Sequence, residues 1–356
     1  MAFQDPQLVI GLSRMFEVFF IAFVLAMAAT PLLTYFLYKY KAHQQIREND
    51  VSGKESKIFK RLHQQKAHTP TMGGLLVWGT IVFLAGVFWV ASQLTSIKFF
   101  DDLNFLSRAQ TYLPLFVLVS AGILGAFDDL WNILGIGGQK GIKLKWKFVW
   151  QILIGVVGAW WFFYKLGIST IHIPAVGSFD IGLFFIPLFI FVIVATTNAV
   201  NIADGLDGLA AGILLTCFAA FAGIAFVQGK VELGMFCAAI MGALLAFLWF
   251  NIFPARFFMG DTGALSLGAT LGVVALLTNS VLVLPIIGLV LVAETGSSLI
   301  QMASKKFFKK KVFLIAPLHH HFEAKGWPEP KIVMRFWVIS GVFAAIGMII
   351  GIIGRG

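Results

Sequence analysis

Only 17 of the 356 residues are Asp or Glu, and five of them form three short sets beside apolar runs: Asp128 with Asp129, Asp204 with Asp207, and Asp261. Neighbouring residues on a helix point about 100° apart, so Asp128 and Asp129 can address two different partners, such as a metal and a proton donor. Asn198, Asn201, Asp204 and Asp207 recur in threes and drift slowly along one helical face. Gly205 and Gly208 loosen that backbone and let a ligand approach closely. Asp261 opens an apolar run. It suits a helix N-cap, and it equally suits Mg²⁺, which commonly takes one or two carboxylates and completes its sphere with phosphate and water. Glu294 sits among Val292, Ala293 and Leu299, with Gln301 farther along the same run; an ionisable group there is costly and is a functional candidate by default. His319, His320 and His321 cannot all reach one metal, but they can donate hydrogen bonds to a phosphate or contact a base and sugar. Each set has a plainer reading as solvated loop acids, a polar turn, a cap or an internal hydrogen bond. Together they describe an acid-rich cleft suited to magnesium and to phosphoryl transfer.

The elements that must position these groups are membrane spans. Apolar residues, counting Tyr and Cys, make up 59% of the chain and charged residues 12%, against about 25% charged in a soluble domain. A soluble enzyme, a disordered chain and a nucleic-acid-binding domain are excluded, and no nucleic acid is expected as a partner. A span needs about 20 mostly apolar residues. Ten stretches qualify: roughly 15–38, 72–95, 111–127, 146–164, 180–197, 208–228, 233–250, 262–280, 281–303 and 332–354. The expectation is an all-α integral membrane protein of about ten transmembrane helices in a single domain over residues 1–356, with the ninth span, which carries Glu294 and Gly296, bent. Cys217 and Cys237 both lie in apolar runs, so no disulfide framework or cysteine-based zinc site is expected.

Charge sets the orientation. Of the 27 Lys and Arg, 21 lie in, or within a turn of, the connections after the odd-numbered spans. Positive loops stay in the cytoplasm, so both termini are expected on the outer side and all the acid sets on the cytoplasmic side. Most of the net charge of +10 is then topological, and the Lys305–Lys311 cluster reads as an anchor beside anionic lipid.

Several motifs occur in one order: Thr69-Pro70-Thr71-Met72-Gly73-Gly74, Phe127-Asp128-Asp129, Asn198 through Ala210, Leu248-Trp249-Phe250-Asn251, Met259-Gly260-Asp261, the three histidines and Gly326-Trp327-Pro328-Glu329-Pro330. This order, from about residue 66 to 337, resembles the MraY family, the phospho-N-acetylmuramoyl-pentapeptide transferases of the polyprenyl-phosphate N-acetylhexosamine-1-phosphate transferase superfamily. The resemblance implies transfer of phospho-MurNAc-pentapeptide from UDP-MurNAc-pentapeptide to undecaprenyl phosphate with Mg²⁺, giving lipid I and UMP for the peptidoglycan of the bacterial cytoplasmic membrane. It makes Asp128, Asp129 and Asp261 catalytic, with Asp261 on the metal. It places Lys66, Thr71, Asn198, Asn201, Asp204, Asp207, Asn251, Phe258, Glu294, Gln301, His319, His320 and His321 in or near the substrate site. It also implies a homodimer among membrane lipids. Direct attack by the lipid phosphate, with Asp128 as a base, and a covalent phosphosugar route both satisfy the motifs. Members commonly carry Asp-Val-Gly-Ser where this chain has Asp261-Thr262-Gly263-Ala264, and Asn-Leu-Thr-Asp at Asn201-Ile202-Ala203-Asp204.

Two rivals differ in what they require. A GlcNAc-1-phosphate transferase of another envelope glycan shares the Asp motifs, but the His319–Glu323 segment with Trp327-Pro328-Glu329-Pro330 favours the muramyl branch. A transporter would gather its polar groups near the bilayer midplane. Here nearly all of them sit at span ends.

Overall fold

The computed structural model describes residues 6–43, 69–136 and 141–354. Its long elements follow from uninterrupted apolar runs, because a backbone crossing lipid must satisfy its own hydrogen bonds. In chain order they are α1 (Pro6–Lys39), α2 (Gly74–Leu94), the short α3 (Lys98–Leu103), α4 (Tyr112–Ile133) and α5 (Leu144–Trp160). A hairpin of β1 (Thr170–Ile173) and β2 (Gly177–Asp180) follows, then α6 (Phe185–Ala203), α7 (Leu209–Val227), α8 (Val231–Asn251) and α9 (Gly260–Leu277). The chain continues through α10 (Leu284–Ile287), α11 (Leu289–Phe307), α12 (Leu318–Ala324) and α13 (Glu329–Ile353).

Among the described residues nine helices are long and apolar enough to cross a membrane, so the protein is an all-α membrane protein with one small hairpin. The stretch 281–303 is not among the nine. It is divided at Gly288 between α10 and α11. The polar residues Glu294, Gln301, Lys305 and Lys306 make α11 amphipathic and less apolar than the nine spans. The hairpin was not anticipated from sequence. Thr170 pairs with Asp180 and Ile173 with Gly177 around a turn in which Ala175 and Gly177 take positive φ.

Helix α9 is the axis of the bundle. Its apolar window is 89% buried, against 22% for α1 and α13, which form the periphery. It packs against α4, α6 and α2. Small residues permit this: Gly263 meets Gly74 backbone to backbone, and Gly268 lies against Thr196 and Thr197.

The two ends of the bundle differ. At the C-terminal end of α9, Lys230 Nζ donates to the Leu277 carbonyl at 2.5 Å and Gln228 Nε2 to that of Thr278 at 2.9 Å. The hairpin joins there, its His172 N–H donating to Asn279 Oδ1 and Ala175 N–H to the Gly354 carbonyl. Arg14 pairs with Asp102 near the start of α1. The start of α9 lies at the other end, and the carboxylates are there.

Candidate active site

Three helices bring the acids together. Asp128 and Asp129 sit in the last turns of α4, Asp261 is the second residue of α9, and Lys147 projects from the first turn of α5. Lys147 Nζ donates to Asp128 Oδ2 at 2.6 Å and to Asp261 Oδ2 at 2.5 Å, so one ammonium bridges carboxylates from two helices. Asp128 Oδ1 also accepts the Ile142 N–H at 2.6 Å, and Asp261 Oδ1 accepts Asn201 Nδ2 at 2.7 Å. The Lys147 side chain keeps 13% exposure, so the bridge faces the cleft and is not sealed in the core.

Asp129 is turned the other way. Its Oδ1 accepts the Asp261 N–H at 3.2 Å, and its Oδ2 accepts the Thr262 N–H at 3.0 Å and the Thr262 hydroxyl at 2.7 Å. It therefore caps α9 from another helix. The sequence reading weighed Asp261 itself as the cap; the structure gives that work to Asp129 and leaves the Asp261 carboxylate for Lys147 and Asn201. Close approach makes this geometry fit. Gly260 has φ +71, and a Cβ there would collide with both Thr71 Oγ1 and Asp129 Oδ2. The adjacent acids do reach different partners, as their angular spacing suggests.

The row of residues in threes divides its work. Asn201 joins the carboxylates, whereas Asn198 Nδ2 donates to Gln151 Oε1 at 2.7 Å, tying α6 to α5. Asp204 closes α6, its N–H donating to the Val200 carbonyl. Asp207 Oδ2 accepts the Ala255 N–H at 3.0 Å, and its own N–H donates to Glu329 Oε1 at 2.7 Å. Asn251 accepts the Gly208 N–H at 3.0 Å and donates to the Phe257 carbonyl at 2.8 Å. Asp207 and Asn251 thus clamp the segment from α8 to α9, which delivers Asp261.

Thr71 is buried beside Gly260, and the segment carrying it docks through Phe258: the Phe258 N–H donates to the Pro70 carbonyl and the Gly73 N–H to that of Phe258, both at 2.8 Å. Lys66 lies outside the described residues.

The histidines form a second lobe beside this row. Glu294 is wholly buried, and its Oε2 lies 2.8 Å from His319 Nδ1 while Oε1 accepts the His319 N–H at 3.2 Å. The far side of that ring presses on the backbone at Gly205, where a Cβ would strike Nε2. His320 pairs with Glu323 at 2.6 Å, and His321 Nδ1 accepts the Leu314 N–H at 3.2 Å. Slight burial and then the Lys325 ammonium lower the His321 pKa from its ordinary value. Gln301 grips the loop, accepting the Val312 and Phe313 N–H groups and donating to the Phe313 carbonyl, each at 3.0 Å. His319 therefore joins the lobe to the Asp204–Asp207 turn, while Gln301 and His321 fix its shape.

Lys147 is the group that sequence reasoning missed. It closes a run of four lysines, Lys140, Lys143, Lys145 and Lys147, and was counted with the topological positive charge. The available signal was its spacing to Gln151, one turn on, a second polar side chain on the same face of an apolar helix. Among the described residues no three His, Cys, Asp or Glu converge as a metal cage.

Comparison with known proteins is consistent with this arrangement. The family model for glycosyl transferase family 4 matches residues 111–279, the span that holds Asp128, Asp129, Lys147, Asn201 and Asp261. The phospho-N-acetylmuramoyl-pentapeptide-transferase of Geobacillus thermodenitrificans is 40% identical over 333 residues, covering 93% of this chain and 95% of the relative. Those of Geobacillus kaustophilus and Anoxybacillus flavithermus are each 40% identical over 332 residues with the same coverage. With the cleft, the bundle and the length of these matches all in agreement, the chain belongs to the phospho-N-acetylmuramoyl-pentapeptide-transferase family.

Proposed function

We propose that this protein transfers phospho-MurNAc-pentapeptide from UDP-MurNAc-pentapeptide to undecaprenyl phosphate, releasing UMP and forming lipid I for peptidoglycan. The observation that carries the reading is the Asp128–Lys147–Asp261 bridge, set within a chain that matches the named transferases over 93% of its length. An oxygen of the lipid phosphate attacks the sugar-linked phosphorus, and UMP leaves. We take the transfer to be direct, since the acceptor phosphate is already largely ionised near pH 7.

The residues divide the work as their contacts suggest. Lys147 is the cation available to the incoming diphosphate, and Asp128 and Asp261 hold it in place until the substrate arrives. Asn201 fixes the orientation of Asp261. Asp129 holds the start of α9, and with it Asp261, in register with α4. The expected cofactor is Mg²⁺, with Asp261 as the chief ligand and Asp128 beside it. Two carboxylates that already share one cation are a hard-oxygen donor set suited to that ion. When bound it would offset diphosphate charge that the acids alone would repel. Asn198, Asp204, Asp207, Asn251, Phe258, Thr71, Lys66, Glu294, Gln301 and the three histidines belong to the walls of the substrate site in this reading.

The remaining parts of the proposal concern placement. The chain forms a single membrane domain in the bacterial cytoplasmic membrane, with the cleft facing the cytoplasm and both termini outside, as the distribution of Lys and Arg supports. The ninth span bends at Gly288, where α10 gives way to α11. The active form is a homodimer. A side-by-side assay decides the donor: UMP should appear from UDP-MurNAc-pentapeptide with undecaprenyl phosphate and Mg²⁺, and little should appear from UDP-GlcNAc. A preference for UDP-GlcNAc would transfer the assignment to another branch of the superfamily.

A further inference from the structure

At the end of the bundle that carries the acids, a groove of about 470 Å³ opens between α1 and the end of α8. Pro31, Thr34 and Tyr35 form one wall and Phe250 the other, and Lys39 and Arg256 close it toward the helix end. The walls make no polar demand on an occupant. Thr30 and Thr34 donate their hydroxyls to the Ala26 and Thr30 carbonyls of their own helix, at 2.8 and 2.7 Å. Eight residues of helix separate Pro31 from Lys39, about 12 Å of rise, so the groove runs from apolar depth to a charged rim.

Lys39 and Arg256 are both exposed, and among the described residues no carboxylate pairs with either. Their partners are aromatic: Lys39 Nζ lies 5.3 Å from the Tyr35 ring centroid, and the Arg256 guanidinium lies 5.9 Å from that of Phe250. Tyr38 donates to the Arg256 carbonyl at 3.0 Å and holds the two sides of the rim together. Three of the five tyrosines in the chain, Tyr35, Tyr38 and Tyr40, stand here, and tyrosine belts mark the headgroup level of a bilayer. The cleft has carboxylates that repel a lone phosphate. Among the described residues, this rim offers two cations that no carboxylate pairs with.

We propose that the groove binds an anionic diacyl phospholipid of the phosphatidylglycerol type, its phosphate between Lys39 and Arg256 and one acyl chain along Pro31 and Phe250. Charge complementarity distinguishes this occupant from the bulk lipid that coats α1 elsewhere. None of Asp128, Lys147, Asn201 and Asp261 lines the groove.

Native mass spectrometry of the full chain tests this, with the protein delipidated and titrated with phosphatidylglycerol or phosphatidylcholine. The unaltered protein should retain one phosphatidylglycerol more tightly than any phosphatidylcholine. Lys39→Gln with Arg256→Gln should weaken that copy roughly tenfold or more, and raised salt should weaken it too. Lys39→Arg with Arg256→Lys keeps both charges and should keep the lipid, which separates lost charge from lost fold. Equal retention of the two lipids, or retention of phosphatidylglycerol by the double Gln variant, would overturn the proposal. So would displacement of that copy by stoichiometric undecaprenyl phosphate, which would make the groove a site for the acceptor.

Discussion

Asp129 and Thr262, on different helices, are joined twice, because one carboxylate oxygen accepts both the N–H and the hydroxyl of the threonine. That pairing fixes the start of α9 against the end of α4. Replacing Asp129 with Ala would leave buried donors without acceptors and should cost about 2–3 kcal/mol. Asp128→Asn should cost less, since the amide oxygen can still accept from the Ile142 N–H or from Lys147. Urea unfolding in detergent, followed by tryptophan fluorescence, compares the two. Equal losses would remove the distinction between a structural and a reactive acid.

Lys147 bridges two acids, so its loss should be felt in chemistry before stability. Lys147→Gln is expected to lower turnover on the order of 10²-fold, the scale seen when one preorganised charge is removed from a reacting site. Lys147→Arg retains the charge and should recover part of the rate. UMP release in steady state measures both, and a Gln variant at full rate would return Lys147 to the topological lysines.

For Asp261→Asn, turnover at any Mg²⁺ concentration should fall by a similar order or more, while the thermal midpoint changes little. The cap on α9 comes from Asp129 and is untouched by this substitution. Near-normal turnover would rule out Asp261 as the ligand.

Gly205→Ala places a methyl group where His319 Nε2 now lies. The ring is pressed between that methyl and Glu294 and must tilt out of its present place, and the His319 lobe should loosen. Limited proteolysis between Phe308 and Leu318 should become faster, with activity reduced. An unchanged cleavage rate would show that the lobe does not lean on Gly205.

Topology is open to labelling. In a chain with Cys217 and Cys237 replaced by Ala, a cysteine at Lys310 should react only from the cytoplasmic side and one at Val176 only from outside. Both positions are exposed. Labelling of both from the same side would contradict the charge-based orientation.

Much of this site was legible in the sequence because carboxylates are expensive beside apolar runs, so each of the three sets announced itself. Their division of labour was not legible. Asp128 and Asp129 look equivalent in one dimension, and only the packing of α4 on α9 sends one toward Lys147 and the other into a helix start. Lys147 was hidden by a rule that is correct on average: lysines beside spans usually report topology. Asn198 and Asn201 share a periodicity, yet three residues of helix carry Asn198 to Gln151 and Asn201 to Asp261. Nine of the ten expected spans were readable from hydropathy, although α1 starts at Pro6 and not near 15, and α6 runs on to Ala203 and not 197. A bend in the stretch 281–303 was expected, but its place at Gly288 was not legible, because Leu284–Leu291 is apolar on both sides of it. The hairpin was missed for a related reason: four-residue strands are too short for their alternation to stand out.

The two ends of α9 have an electrostatic consequence. A helix carries a partial positive charge at its N-terminus and a partial negative charge at its C-terminus. In α9 a carboxylate from α4 occupies the first pole and the Lys230 ammonium the second. Helix starts are ready-made anion sites in many phosphate-binding proteins. Here the Asp129 carboxyl already accepts the first N–H groups of α9, so this helix start is not open to a diphosphate. Attraction for the substrate must then come from charged groups at the cleft such as Lys147, which makes binding there sensitive to ionic strength.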